Sequence, residues 1–184
     1  MTSRLAAVLG LGLLVATVAP SSAQTAEALE PDGYRLEPYR APTPHTLKGA
    51  QVLTTPQAAA LWKAGTATFI DVLPRPPRPA GLPAGSIWHD APRSDIPGSI
   101  WLPNTGFGAL AAVTEDSLRP GLERARGGSD TRLLVIDCQR DCWHSWNAAK
   151  RALALGYHTI AWYPDGTDGW HEADLPLQDA TPAP

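Results

Sequence analysis

The sequence predicts an α/β protein built on a parallel sheet with helices on both faces. Three observations predict it. Short β-branched runs alternate with amphipathic stretches at close spacing. The run at residues 131–137 is continuously apolar in its centre, as a strand buried on both faces must be. The helical stretches each end on glycine, at Gly65, at Gly127 with Gly128, and at Gly156.

The elements follow in order. Residues 1–23 read as a secretory signal. Arg4 supplies the positive charge, Leu5 opens an apolar run ending at Ala19, and Ser21 and Ala23 are the small residues before the cut. That run is about 15 residues, short of the roughly 20 that a spanning helix needs. Residues 24–49 are polar and proline-punctuated, and are expected to wrap the domain as an arm anchored by Tyr34 and Tyr39. The domain itself is expected over 50–178, with a tail at 179–184. A helix is expected with Thr55 as its N-cap and Pro56 at its first position; it carries an Ala58, Leu61 and Trp62 stripe and closes on Gly65. Residues 66–72 form a buried strand.

Residues 73–104 include Pro74, Pro76, Pro77, Pro79, Pro83, Pro92 and Pro97, which predicts a stiff surface loop. Only residues 99–102 read as a strand within it. A helix is expected from about Glu115 to Arg126, with Pro120 blurring its start. The strand at 131–137 follows, then a helix over 145–155 with Trp146, Ala149 and Leu153 on one stripe. A last strand covers 158–163, and residues 164–177 return to loop.

Composition narrows the function. The formal charge is −3, or about −4 once Arg4 is removed with the signal. A mildly acidic, unpatterned chain argues against nucleic acid and against anionic membrane surfaces. No site for a metal or a bound quinone is apparent, and no cofactor is expected. There are only two cysteines, Cys138 and Cys142. Export would place them in an oxidising compartment, the periplasm, where they would bridge, bind something or stay reduced for a purpose. Cys138 follows directly after the central strand, at the edge where open α/β sheets bind ligands.

Residues 69–72 (Phe-Ile-Asp-Val), 96–100 (Ile-Pro-Gly-Ser-Ile), the strand–Cys138–loop–helix unit, Gly156-Tyr157 and Asp168-Gly169-Trp170 follow the rhodanese order. The stretches Cys138-x-x-x-Cys142-Trp143-x-Ser145-Trp146-Asn147 and Trp162-Tyr163-Pro164-Asp165-Gly166-Thr167-Asp168-Gly169-Trp170 are more specific. They resemble the PQQ-dependent catabolism-associated CXXCW motif proteins, a rhodanese-like family, over roughly residues 33–177. The resemblance implies a rhodanese-like fold, export, and an accessory role beside PQQ-dependent alcohol oxidation. A PQQ-dependent dehydrogenase or its electron carrier would be the partner. It also implies that Cys138 fills the catalytic position and that Asp71 helps to hold the active loop. The chain departs from sulfur-transferring rhodaneses in two ways. Its loop is about one residue longer, and a second cysteine sits inside it.

Several chemistries stay open for this loop. As a sulfur carrier, Cys138 would attack a small sulfur or thiol donor, with helix N–H groups favouring its thiolate. Cys142 would accept or resolve, and Arg140 would orient an anionic donor. As a redox pair, Cys138 and Cys142 would exchange disulfides. As a metal carrier, the two thiolates with His144 nearby would deliver copper or another metal. As a structural bridge, Cys138–Cys142 would leave a non-catalytic binding module. Trp143, His144 and Ser145 are the further residues expected to line a substrate, His144 with the option of acting as a base. Asp165, Thr167 and Asp168 form a polar turn expected to line or support the site. Asp137 is expected to hinder thiolate formation if it points inward.

Overall fold

The computed structural model describes residues 28–89 and 91–183, so the proposed signal lies outside them. Among the described residues no helix is long and apolar enough to cross a membrane. The elements are β1 (Gln51–Val52), α1 (Thr55–Ala64), β2 (Ala67–Asp71), β3 (Arg93–Asp95), β4 (Ile100–Trp101), α2 (Ala112–Arg126), β5 (Leu133–Asp137), α3 (Trp143–Ala154), β6 (Ile160–Tyr163), α4 (Gly166–Glu172) and β7 (Gln178–Ala180).

Five strands form one sheet in the order β1-β6-β5-β2-β4, and every neighbouring pair is parallel. Strand residues alternate between two cores. Ile70, Leu134, Ile136, Ile160 and Trp162 face Leu118 and Leu122 of α2 and Trp146 and Ala149 of α3. Phe69, Val135, Ala161 and Tyr163 face Ala58 of α1 and Trp170 of α4. Burial on both faces explains why β5 reads as a continuous apolar run. The expected open parallel α/β sheet is therefore the one observed.

Several boundaries differ for physical reasons. Thr54, not Thr55, caps α1, because the Gln57 side chain accepts from both its N–H and its hydroxyl. Helix α2 starts at Ala112 and carries Pro120 in its interior. Helix α3 starts at Trp143, because Cys142 supplies its N-cap. Residues 164–177 contain helix α4 rather than only loop. Residues 73–89 of the proline-rich stretch are loop as expected, but the strand after it pairs: β3 and β7 form a second, antiparallel sheet. Pro182 bridges Trp101, and the Ala183 N–H donates to the Trp101 carbonyl at 2.8 Å, which continues the main sheet past β4.

Candidate active site at the carboxyl edge of the central strands

Cys138 leaves the end of β5 and opens a tight turn through Gln139, Arg140 and Asp141 to Cys142. Asp141 sits at φ 53°, the left-handed region that asparagine and aspartate tolerate better than most residues. The turn is fastened from below by α4. The Thr167 N–H and hydroxyl both donate to the Cys138 carbonyl, at 3.0 and 3.1 Å. The Arg140 N–H donates to Asp168 at 3.1 Å. Gly166 makes this approach feasible: its φ is 51°, and a Cβ there would meet the Cys138 carbonyl oxygen at 2.5 Å.

Both thiols are buried and unbridged. The Cys138 thiol turns back into its own loop, donating to the carbonyls of Cys142 at 3.5 Å and Gln139 at 3.7 Å. Burial, with the neighbouring Cys142 next, pushes its pKa well above the ordinary thiol value. Cys142 goes the other way. The Cys138 thiol at its side and the His144 imidazole, with Nδ1 at 3.4 Å from Sγ, together outweigh burial and bring its pKa down to about 4. It also stands at the N-terminus of a 12-residue helix, where partial positive charge favours an anion. Cys142, not the strand-end Cys138, occupies the helix-start position expected to favour a thiolate.

The remaining expected substrate-lining residues are engaged within the protein. The Arg140 guanidinium pairs with Glu172 at 2.5 Å and with Asp165 at 3.3 Å, which raises its pKa further. The Ser145 hydroxyl donates to the Cys142 carbonyl and accepts from the Trp162 indole. Trp143 is buried against Trp146, with the Arg35 guanidinium 5.3 Å from its ring. His144 lies between Tyr39, stacked at 4.3 Å, and the edge of Phe107 at 4.8 Å. Its Nε2 is buried and makes no hydrogen bond to the described residues.

The N-terminal arm covers this loop. Arg40 and Cys142 form an antiparallel bridge, with the Trp143 N–H donating to the Tyr39 carbonyl and the Ala41 N–H to the Asp141 carbonyl. Arg35 exchanges two hydrogen bonds with the Asn147 side chain, and Lys150 donates to the carbonyls of Pro31, Asp32 and Gly33. Beside the loop, a cleft of about 680 Å³ is lined by Thr43, His45, Thr54, Arg140, Asp141 and Asp165 among others.

On the other sheet face lies a second polar cluster. Asp71 accepts from the Leu73 N–H at 2.8 Å and from Arg93 Nε at 2.7 Å, so it does not touch the loop itself. Arg93 continues to the Thr167 hydroxyl, which links Asp71 to the Cys138 carbonyl through two intermediates. Asp137 is buried on this face, away from Cys138. Burial and the charges of Asp95 and Asp71 raise its pKa well above the usual carboxylate range. Its side chain is turned to the opposite sheet face from the Cys138 thiol, so it does not point at that sulfur. Arg93 and Asp95 were not foreseen. The arginine is 22 residues from its partner across a proline-rich stretch, and no spacing pattern marks such a pair.

The fold and loop thus define an open parallel α/β protein with a two-cysteine turn at the carboxyl end of its central strand. Among solved structures, the chain is similar to a thiosulfate sulfurtransferase from Pseudomonas aeruginosa, at 21% identity and a TM-score of 0.48 over 72% of this chain and 21% of that one. It is similar to a polysulfide-sulfur transferase homodimer from Wolinella succinogenes, at 21% identity and 0.45 over 72% and 81%. A protein from Saccharomyces cerevisiae aligns at 19% identity and 0.39 over 67% and 92%. The chain spans about a fifth of the length of the Pseudomonas protein. At these identities and scores the likeness says nothing about substrate or chemistry. No family model matches the sequence, and no curated protein does.

Proposed function

We propose that the chain is an exported, periplasmic, rhodanese-like accessory protein of PQQ-dependent alcohol oxidation, and that it works by thiol chemistry at Cys138 and Cys142. The export and PQQ parts of this reading rest on the signal-like N-terminus and on the Cys-Trp and Asp-Gly-Thr-Asp-Gly-Trp stretches. The partner is a PQQ-dependent dehydrogenase or its electron carrier. One observation carries the chemistry: two unbridged thiols share one turn at the carboxyl edge, with their pKa values pushed in opposite directions. Such a pair suits stepwise exchange, in which one sulfur attacks and the other resolves.

Between the two forms of thiol chemistry, the loop favours disulfide exchange over sulfur transfer. A sulfur carrier needs backbone N–H groups aimed at its sulfur. Here the Arg140 and Trp143 N–H groups are bonded to Asp168 and Tyr39, and the His144 N–H is directed at Cys142 rather than at the strand-end cysteine. Among the described residues no group of three or more histidine, cysteine, aspartate or glutamate side chains is arranged to hold an ion.

Intact mass of the full-length protein recovered from the periplasm, with and without mild reductant and an alkylating agent, tests the proposal. A dithiol and a disulfide form that interconvert under mild reductant are expected. A bridge that resists mild reductant overturns thiol chemistry in favour of a structural disulfide. One added sulfur atom on Cys138 replaces exchange by sulfur transfer.

A further inference from the structure

The sequence order suggests that Cys138, at the strand end, attacks first. The geometry points to the reverse. We infer that Cys142 and His144 form a nucleophilic cysteine–histidine dyad, that Tyr39 of the arm is the residue positioning the imidazole, and that Cys138 is the resolving thiol. This rests on the thiol chemistry proposed above and assigns the roles within it.

Four observations carry it. His144 Nδ1 lies 3.4 Å from Cys142 Sγ, the reach expected of a paired base and nucleophile. Cys142 is the N-cap of α3, so the helix start stabilises a negative sulfur there. The His144 ring is clamped by the Tyr39 face and the Phe107 edge, which fixes its aim at the sulfur. Its buried Nε2 has no partner among the described residues, so no carbonyl or carboxylate competes for the imidazole. Both thiols are buried, but that of Cys138 is turned onto two carbonyls of its own loop rather than onto a base.

The exchange balances with a partner disulfide as oxidant. The Cys142 thiolate attacks one partner sulfur, the partner S–S bond breaks, and the departing sulfur takes the proton from the His144 imidazolium. The neutral imidazole then takes the Cys138 proton. Cys138 attacks Cys142 Sγ, breaks the mixed disulfide, and releases the second partner sulfur, which is protonated by His144. The protein gains one disulfide, the partner becomes a dithiol, and two electrons pass to the partner. Because Cys142 is covered, the arm must lift from the loop for the first step.

The test uses the full-length reduced protein, an aromatic disulfide as probe, and peptide mapping of the product. Cys138→Ser is expected to trap the probe on Cys142, while Cys142→Ser reacts at least about tenfold more slowly. The pH profile of Cys142 alkylation distinguishes a dyad from mere packing. The groups facing Cys142 are His144, the Cys138 thiol, and the carboxyls Asp71 and Asp137 across the sheet. His144→Gln is expected to slow alkylation at pH 5 by about tenfold or more. That loss should shrink or reverse near pH 8, since a more basic thiolate is also the better nucleophile. Tyr39→Ala should shift the profile in the same direction by less. Equal reaction of Cys142→Ser with the probe on Cys138 overturns the dyad and leaves thiol chemistry standing. A native protein in which neither cysteine reacts overturns both. Should His144→Gln fail to fold, the wild-type profile still decides: a Cys142 midpoint at the ordinary thiol value rejects the dyad.

Discussion

Two buried polar clusters share one edge of the sheet, on opposite faces. On the α2–α3 face, Cys138, Cys142, His144 and Ser145 hold one another through short local links within eight residues of chain. On the α1–α4 face, Asp71, Arg93, Asp95 and Asp137 come from three strands and contain a single cation among three carboxyls. The thiol cluster is kept in order by an overlying arm. The carboxyl cluster leaves both oxygens of Asp137 and one of Asp95 without a hydrogen bond among the described residues. The difference teaches where each cluster spends stability. The thiols are neutral or locally paired, so their burial costs little. The carboxyls lean on Arg93, and burial pushes the pKa values of Asp71, Asp95 and Asp137 upward.

The largest test of this contrast is Arg93→Ala. It strips the paired guanidinium from buried Asp71, and a loss of about 3–5 kcal/mol is expected in denaturant unfolding. Asp71→Asn with Arg93→Met should recover most of that loss, because the unpaired charge disappears with its partner. A small effect of Arg93→Ala would show that the carboxyl is already neutral.

The next test is pH. Burial, with Asp71 beside it, pushes the Asp95 pKa from the ordinary carboxylate range up to about 7. The folded state then holds a proton that the unfolded state has released. Stability from this group is present at low pH and falls as pH rises from about 4 to about 7, by up to about 4 kcal/mol. Asp95→Asn should flatten that slope in thermal melts across the window. An unchanged slope would place the titration elsewhere.

Thr167→Val is expected to cost about 1–2 kcal/mol in the same unfolding measurement, since its hydroxyl joins Arg93 to the Cys138 carbonyl. The smallest effect belongs to the proline-rich loop. Ile87 is 83% exposed, and Ile87→Ser should stay within about 0.5 kcal/mol.

The parallel sheet was legible because β2, β5 and β6 announce burial on both faces through apolar runs. The turn at Cys138 was legible because it follows the strongest of them. Helix α4 was hidden by Pro164, Gly166 and Gly169, residues that spell a turn. The fold uses Gly166 instead to bring the start of α4, with Thr167 and Asp168, under the cysteine loop. Strands β1, β3 and β7 are too short to show a period. The start of α3 was misplaced by two residues because cysteine is not a customary cap. The reach of Tyr39 onto His144 could not be read, since the contact joins residues about a hundred positions apart.

That separation governs the order in which the molecule is assembled. Arg35 and Asn147 are 112 positions apart, so the arm closes one of the longest loops in the fold. Loop-closure entropy makes such contacts late, after local helices and neighbouring strands have formed. The arm is first in the chain, yet it can dock only after α3 exists. Until it does, the Cys142 turn lacks the cover that Tyr39, Arg40 and Ala41 give it in the finished fold.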